Sequence, residues 1–135
     1  MNTYNKPLPM PNPVTEGFWK AAKRHELSIQ RCMSCNDYIF PPREICPRCM
    51  SLNLEWIRAS GKGKIFSYTV VRVSPHPSFS TDIPYIVAII ELDEGPHLMS
   101  NLINCKIEDV KLNMPVTAVF DDVTSEVSLV KFRPS

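Results

Sequence analysis

The first apolar spacing along the chain is helical. Phe18, Trp19 and Ala22 fall on one stripe between Glu16 and about Glu26, which is the recurrence of an amphipathic helix. Thr15 is placed to cap it. Glu16 suits the positive end of the dipole, and Lys23, Arg24 and His25 suit the negative end. A helix of about eleven residues is marginal alone, so its aromatic stripe must rest on something. That is either the chain's own core or a partner's groove, and exposed Phe18 and Trp19 would favour the partner. Before the helix, Met1 to Pro13 places prolines at 7, 9, 11 and 13. This reads as an extended, polyproline-like arm, either a docking strap or a frayed terminus.

From residue 27 to 58 the pattern breaks into short pieces. Leu27 to Arg31 runs into a cysteine pair, and Tyr38-Ile39-Phe40 reads as a short strand stopped by Pro41-Pro42. After Ser60-Gly61-Lys62-Gly63 the texture changes. Lys64 to Val73 is rich in β-branched and aromatic residues, with Phe66, Tyr68 and Val70 alternating with Ser67 and Thr69, a half-buried strand. Pro84 to Leu92 is a second strand, central by its apolar continuity. Asp93-Glu94-Gly95-Pro96 turns the chain into a third, His97 to Ile103. Ile107 to Val110 is a helical turn, and Pro115 to Asp121 and Val127 to Phe132 are strands four and five. Five strands, the first long and led by glycines, with a small helix between the third and fourth, is the order of an OB barrel. The reading is mainly β: arm and helix over 1–26, a ribbon over 27–58, and a five-stranded barrel over 59–135.

Composition narrows the class. The 135 residues make about one domain, and 44% hydrophobic against 21% charged is a globular balance. A formal charge of +1 leaves no basic footprint for sequence-independent nucleic-acid binding. The longest apolar run, Tyr85 to Ile90, is far short of the ~20 residues of a membrane span. Met1 to Pro13 has no apolar h-region, so a cytoplasmic location is expected. Four glycines against thirteen prolines argue against a lid-and-loop enzyme.

Five cysteines stand at 32, 35, 46, 49 and 105, four of them in two Cys-x2-Cys pairs. Two residues between thiolates let a tight turn wrap a metal with backbone N–H groups directed at sulfur. Two such knuckles supply four ligands at ~2.3 Å in a tetrahedron, a closed structural zinc site. Such a centre has no open coordination position for catalysis. It also moves the formal charge from +1 to −1, a local excess that Arg31, Arg43 and Arg48 are placed to offset. The ribbon has too little apolar area for a core of its own, so metal would supply its folding free energy. Disulfides lack an export signal to support them, and a redox dithiol would open a helix that neither pair shows. A one-iron centre uses the same ligands, and spacing does not separate it from zinc. Cys105 reads as a small packed residue rather than a nucleophile.

Taken together these residues resemble a known family. Cys-x2-Cys, Phe40-Pro41-Pro42-Arg43, Cys46-Pro47-x-Cys49 and Leu54-Glu55-Trp56 look like the rubredoxin-like zinc ribbon of the acyl-CoA-associated zinc-ribbon/OB-fold family. Tyr68-Thr69-Val70-Val71, Glu91-Leu92-Asp93-Glu94-Gly95-Pro96, Asn101-Leu102-Ile103 and Phe132-Arg133-Pro134 look like its barrel. One departure is Met50, where a glycine would ease a left-handed backbone. The resemblance implies an accessory subunit that scaffolds a thiolase-like enzyme acting on acyl-CoA thioesters and lines the path of the CoA arm. Known examples include subunits of benzoylsuccinyl-CoA thiolase and of the archaeal acetoacetyl-CoA thiolase assembly.

The expected function is therefore a non-catalytic, zinc-binding subunit in a hetero-oligomer. If acyl-CoA reaches this chain at a shared site, its phosphates need cations, and Lys62, Lys64 and Arg72 around the glycine loop are the candidates. His25, His76 and His97 lie in unlike contexts and pair with no nucleophile in sequence. The alternative is a single-stranded nucleic-acid module stacking bases on Phe66, Tyr68 and Tyr85. Near-zero charge and the acids Glu91, Asp93 and Glu94 speak against it.

Overall fold

The computed structural model describes residues 6–135. The first five residues of the proline-rich arm lie outside the described residues. Helix α1 spans Glu16–Lys23. Asn12, not Thr15, organises its start: the Asn12 carbonyl accepts the Thr15 and Glu16 N–H groups at 3.0 and 2.8 Å. Its side-chain oxygen accepts from Val14 and Thr15. Thr15 is already helical and makes no side-chain cap bond. The helix also stops short of Glu26. The Glu26 N–H returns to the Ala21 carbonyl and the His25 N–H to that of Ala22, both at 2.9 Å. His25 stands between them with φ 60. This is a Schellman closure with histidine where glycine is usual.

The segment from 27 to 58 forms a three-stranded antiparallel sheet. Strands β1 (Ser28–Cys32), β2 (Tyr38–Ile39) and β3 (Leu54–Arg58) are ordered β2-β1-β3. β2 is only two residues long, and Gln30 extends its pairing with a side chain. The Gln30 amide donates to the Arg43 carbonyl at 2.9 Å and accepts the Arg43 N–H at 2.7 Å, which satisfies a buried amide as the interior demands.

Strands β4 (Lys62–Val71), β5 (Tyr85–Leu92), β6 (His97–Leu102), β7 (Pro115–Asp122) and β8 (Ser128–Pro134) close a barrel in the order β4-β5-β6-β8-β7. The 3-10 turn Ile107–Asp109 sits between β6 and β7, where the helical turn was expected. Along β5 every second residue is buried: Ile86, Ala88, Ile90 and Leu92 fill the barrel, while Tyr85, Val87 and Ile89 face outward. β6 and β8 run parallel and meet at one pair, Leu102 with Phe132.

The alternation expected in β4 is interrupted. A bulge between Ile65 and Ser67 shifts the register, as an extra residue in one strand must. Gly63 and Ile65 point inward, Phe66 is the bulged residue and is exposed, and Tyr68 and Val70 lie opposite Ala88 and Ile86. Gly63 belongs there because a Cβ would meet the Glu91 carbonyl oxygen at 2.5 Å.

The main hydrophobic cluster crosses the expected boundaries. Phe18 of α1, Leu27 and Ile29 of the ribbon segment, and Ala59 share it with Ile65, Ile90, Val116 and Phe132 of the barrel. The Trp56 ring of β3 lies directly on Gly17, leaving no room for a side chain there. No helix among the described residues is long and apolar enough to cross a membrane.

Candidate metal centre and outer groove

Both knuckles follow from local backbone chemistry. β1 ends at Cys32, whose carbonyl accepts the Asn36 N–H at 2.8 Å; the Cys46 carbonyl accepts the Met50 N–H at 2.9 Å. Asn36 and Met50 occupy the same place in the two turns, and both are left-handed, with φ 64 and 67. The strain at Met50 that its side chain implies is therefore present. The Cys35 N–H points at the Cys32 sulfur and the Cys49 N–H at the Cys46 sulfur, each at 3.5 Å. A Ser34–Ser51 hydroxyl bond of 2.8 Å ties one knuckle to the other.

The four sulfurs lie within 4.8 Å of one another. Cys32 and Cys49 are 3.5 Å apart, and Cys35 and Cys46 3.7 Å. A tetrahedron with ~2.3 Å metal–sulfur bonds has edges of about 3.8 Å, so the donor set fits a tetrahedral metal. Electrostatics agree. The Cys35 N–H brings the Cys32 thiol down to about 6 against the opposing effect of burial. Cys49 is pushed up to about 12: the Ser51 N–H favours its thiolate, but the Cys32 thiol, burial and the other two cysteines outweigh it. One thiolate forms easily while Cys35 and Cys49 resist, which is the arrangement a dication completes. Two of the arginines expected to offset this charge have side-chain neighbours of their own, and the third is held through its backbone. Arg31 lies over the Tyr38 ring at 5.6 Å, Arg48 is 3.9 Å from Asp37, and the Arg43 backbone is held by Gln30.

The remaining expected residues do not converge. Lys62 and Lys64 stand at the start of β4, and Lys64 is paired with Glu91 at 3.2 Å. Arg72 follows the other end of the ten-residue strand. At ~3.3 Å per residue, Lys64 and Arg72 are roughly 26 Å apart, too far to share one diphosphate. Each histidine has its own neighbour. His25 stacks on Phe120 and lies 3.0 Å from both Asp122 oxygens. His76 bonds Ser78, and His97 packs on Phe66 at 4.4 Å. Phe66 faces out on the bulge while Tyr68 turns toward the Ala88 face, so they form no single stacking platform. Burial pushes the Cys105 thiol up, as for a packed residue.

Phe18, expected to dock a partner, is only 8% exposed and belongs to the chain's own core, because α1 turns it onto β1 and the barrel. Trp19 beside it is half-buried and lines a groove of about 620 Å³ between α1, the Phe40-Pro41 turn of the ribbon and the outer faces of β5, β6 and β8. Met99 forms part of its wall and is 68% exposed. A second cavity of about 420 Å³ lies alongside, bounded by Lys6 and Pro7 of the arm and by Phe79 and Tyr85. The two share Asn101, Leu129 and Lys131 and form one trough. Sequence reasoning missed it. Its one visible sign is Leu98-Met99, apolar on both faces of β6.

Comparison with known proteins places this geometry. Residues 19–55 match the model of the ChsH2 rubredoxin-like zinc ribbon domain, and residues 56–121 that of the ChsH2 C-terminal OB-fold domain. A DUF35 domain-containing scaffold protein of Methanocaldococcus jannaschii is 45% identical over 76% of this chain and 73% of its own length. The chain belongs to the ChsH2/DUF35 family. Within that family, it is 36% identical to the chain of a solved structure, the Ltp2-ChsH2(DUF35) aldolase, with a TM-score of 0.85 over 94% of this chain and 98% of that one. A probable enoyl-CoA hydratase alpha subunit of Thermomonospora curvata is 36% identical over 96% of this chain, which spans 40% of that relative's length. The chain joins the two domains of the family, a ribbon that here carries four cysteines and an OB-fold.

Proposed function

We propose that this chain is a non-catalytic scaffold subunit of a thiolase-like enzyme acting on acyl-CoA thioesters by carbon–carbon bond cleavage or formation. The observation that carries the reading is the near-complete match to the DUF35 chain of an aldolase. The geometry agrees with it. The four sulfurs face one another, and a tetrahedral ion held by all four would keep no open position for substrate; the histidines are bound up with Asp122, Ser78 and Phe66. Zinc is the metal we assign: it would be held by Cys32, Cys35, Cys46 and Cys49 and would fix the two knuckles together, with no part in the reaction. The sequence-based units, arm and helix, ribbon and barrel, serve as one platform in this reading. A reducing, cytoplasmic setting suits four thiolates.

The test is co-expression with a thiolase-like subunit from the same organism. A co-eluting heteromer, with activity absent from either chain alone, is the expected result. A catalytic subunit fully active without this chain overturns the proposal. The relative named as a hydratase subunit favours a second partner class, a hydratase. Assaying the co-eluting material for hydration as well as bond cleavage separates the two.

A further inference from the structure

A strand edge that no neighbour covers is a template for another strand, and proteins blunt such edges with charge, proline or brevity. Most edges of this chain are blunted. β2 is two residues long and runs into Pro41-Pro42. β3 carries Glu55 and Arg58, and its Trp56 lies on Gly17 of α1. The far half of β7 ends in Asp121 and Asp122, with His25 stacked on Phe120. The second half of β4 is the exception.

The β7 side of β4 is filled only as far as Ile65. Lys62, Gly63 and Lys64 pair with Thr117, Val116 and Pro115. Ile65 then donates its N–H to the Met114 carbonyl at 3.0 Å and accepts the Asn113 N–H at 2.7 Å. Past the bulge, residues 67–71 keep regular pairing with β5, and among the described residues no other backbone joins them. Phe66, Ser67, Tyr68 and Thr69 are exposed in succession, whereas β5, flanked on both sides, alternates between buried and half-buried. The open stretch reads Ser-Tyr-Thr-Val-Val. It holds no charge and no proline, and four of its five residues are strong strand formers.

We infer that residues 67–71 of β4 form a self-association edge, taken by the same strand of a second copy running antiparallel. The stretch is its own complement. A two-fold axis at Thr69 sets Thr69 against Thr69, Tyr68 against Val70 and Ser67 against Val71. Thr–Thr and aromatic–β-branched pairs are the kinds that stabilise antiparallel strands. The same axis sets Arg72 opposite Phe66 and Lys64 opposite Ser74, so no like charges meet. An axis at Tyr68 would set Lys64 against Arg72, which charge repulsion disfavours. So short an edge buries less than the roughly 1,200 Å² at which standard interfaces begin, so the dimer is weak and concentration-dependent. It stands apart from the acyl-CoA reading and joins two platforms edge to edge.

Sedimentation equilibrium of the full chain should show monomer and dimer exchanging with concentration. Thr69→Lys and Thr69→Glu should each weaken the dimer by at least about tenfold, because two like charges then meet at the axis. Both should leave the melting temperature nearly unchanged, since Thr69 is exposed. Mixed in equal amounts, the two variants should associate again, with an ammonium now facing a carboxylate. Leu52→Lys, at an exposed apolar position of the ribbon tip, should change nothing. Hydrogen exchange should find amides within 67–71 that gain protection as concentration rises.

A chain that stays monomeric at every concentration, a dimer that Thr69→Lys leaves intact, or a mixture of the two charged variants that does not associate overturns the inference. Heteromer formation with a thiolase-like subunit is measured on the same variants. If the unaltered chain is monomeric alone and Thr69→Lys abolishes the heteromer, the edge receives a strand of the catalytic subunit; self-association is then overturned and the scaffold reading survives. If the dimer forms as described and no catalytic subunit associates, the edge stands and the scaffold reading falls.

Discussion

The barrel closes over Ile65, Ile90, Val116 and Phe132, each with no exposed surface, whereas the ribbon beyond β1 encloses little besides sulfur: Cys32, Cys46 and Ile39, with Cys35 and Leu54 against them. The same chain thus uses two means of holding itself together. In the barrel, removal of apolar area from water outweighs chain entropy. At the ribbon tip that area is missing, and metal coordination must take its place. The tip even presents Met33, Ile45, Met50 and Leu52 to solvent, which no apolar core would allow. Between the two, Phe18, Leu27 and Ile29 belong to the barrel's cluster, so the sheet of the ribbon is anchored while its knuckles are not.

That contrast can be broken most forcefully at the metal. Cys46→Ser, or removal of the ion with a chelator, should abolish stoichiometric metal binding, for which apparent free energies near 10–16 kcal/mol are typical of structural zinc. It should also release protection of amides 32–54 while the barrel retains its own. Metal analysis and hydrogen exchange measure this. A tip that keeps its protection without metal would erase the distinction. On the other side, Phe132→Ala should cost about 3–5 kcal/mol of global stability, read by denaturant unfolding, and should leave metal stoichiometry at one. Gly63→Ala acts on the barrel through backbone crowding at the Glu91 carbonyl and should cost about 1–3 kcal/mol in the same assay.

A gentler change sharpens the comparison in the opposite direction. Met50→Gly relieves a left-handed backbone at φ 67 and should raise metal affinity or tip stability by about 1 kcal/mol, seen in competition with a chromogenic chelator. The smallest effect is electrostatic. The His25 hydrogen bond holds the Asp122 carboxyl below the usual carboxylate range. Its contribution to stability is complete above the ordinary carboxylate pKa of about 4 and is lost as pH falls through the lowered folded value. His25→Ala should move the Asp122 midpoint upward in a carboxyl NMR titration, with little change in melting at neutral pH because the pair is exposed.

Much of this architecture was legible because strong local signals coincided with tertiary demands. The spacing of Cys32, Cys35, Cys46 and Cys49 is itself the geometry of the sulfur cluster, and the apolar run of β5 marks its central place between β4 and β6. Features that depend on distant partners were hidden. The bulge at Phe66 reverses the parity that alternation implies. Histidine in a position that favours glycine ends α1 early. Phe18 looks like an exposed anchor until α1 is seen to lie on the barrel. Lys62, Lys64 and Arg72 are near neighbours in sequence, but an extended strand is the conformation that separates neighbours most.

The single rung joining β6 to β8 has a mechanical consequence. Around the rest of the ring, each strand is stitched to the next by several residue pairs, but here Leu102 and Phe132 alone are in register, and the Ile103 amide fastens to the Phe132 carbonyl at 2.8 Å. Hoop strength is set by the weakest fastening. The Ser100 hydroxyl adds one side-chain bond to the Val130 carbonyl at 2.7 Å, so this seam, flanked by Asn101 and Lys131, is the junction that leans least on backbone pairing.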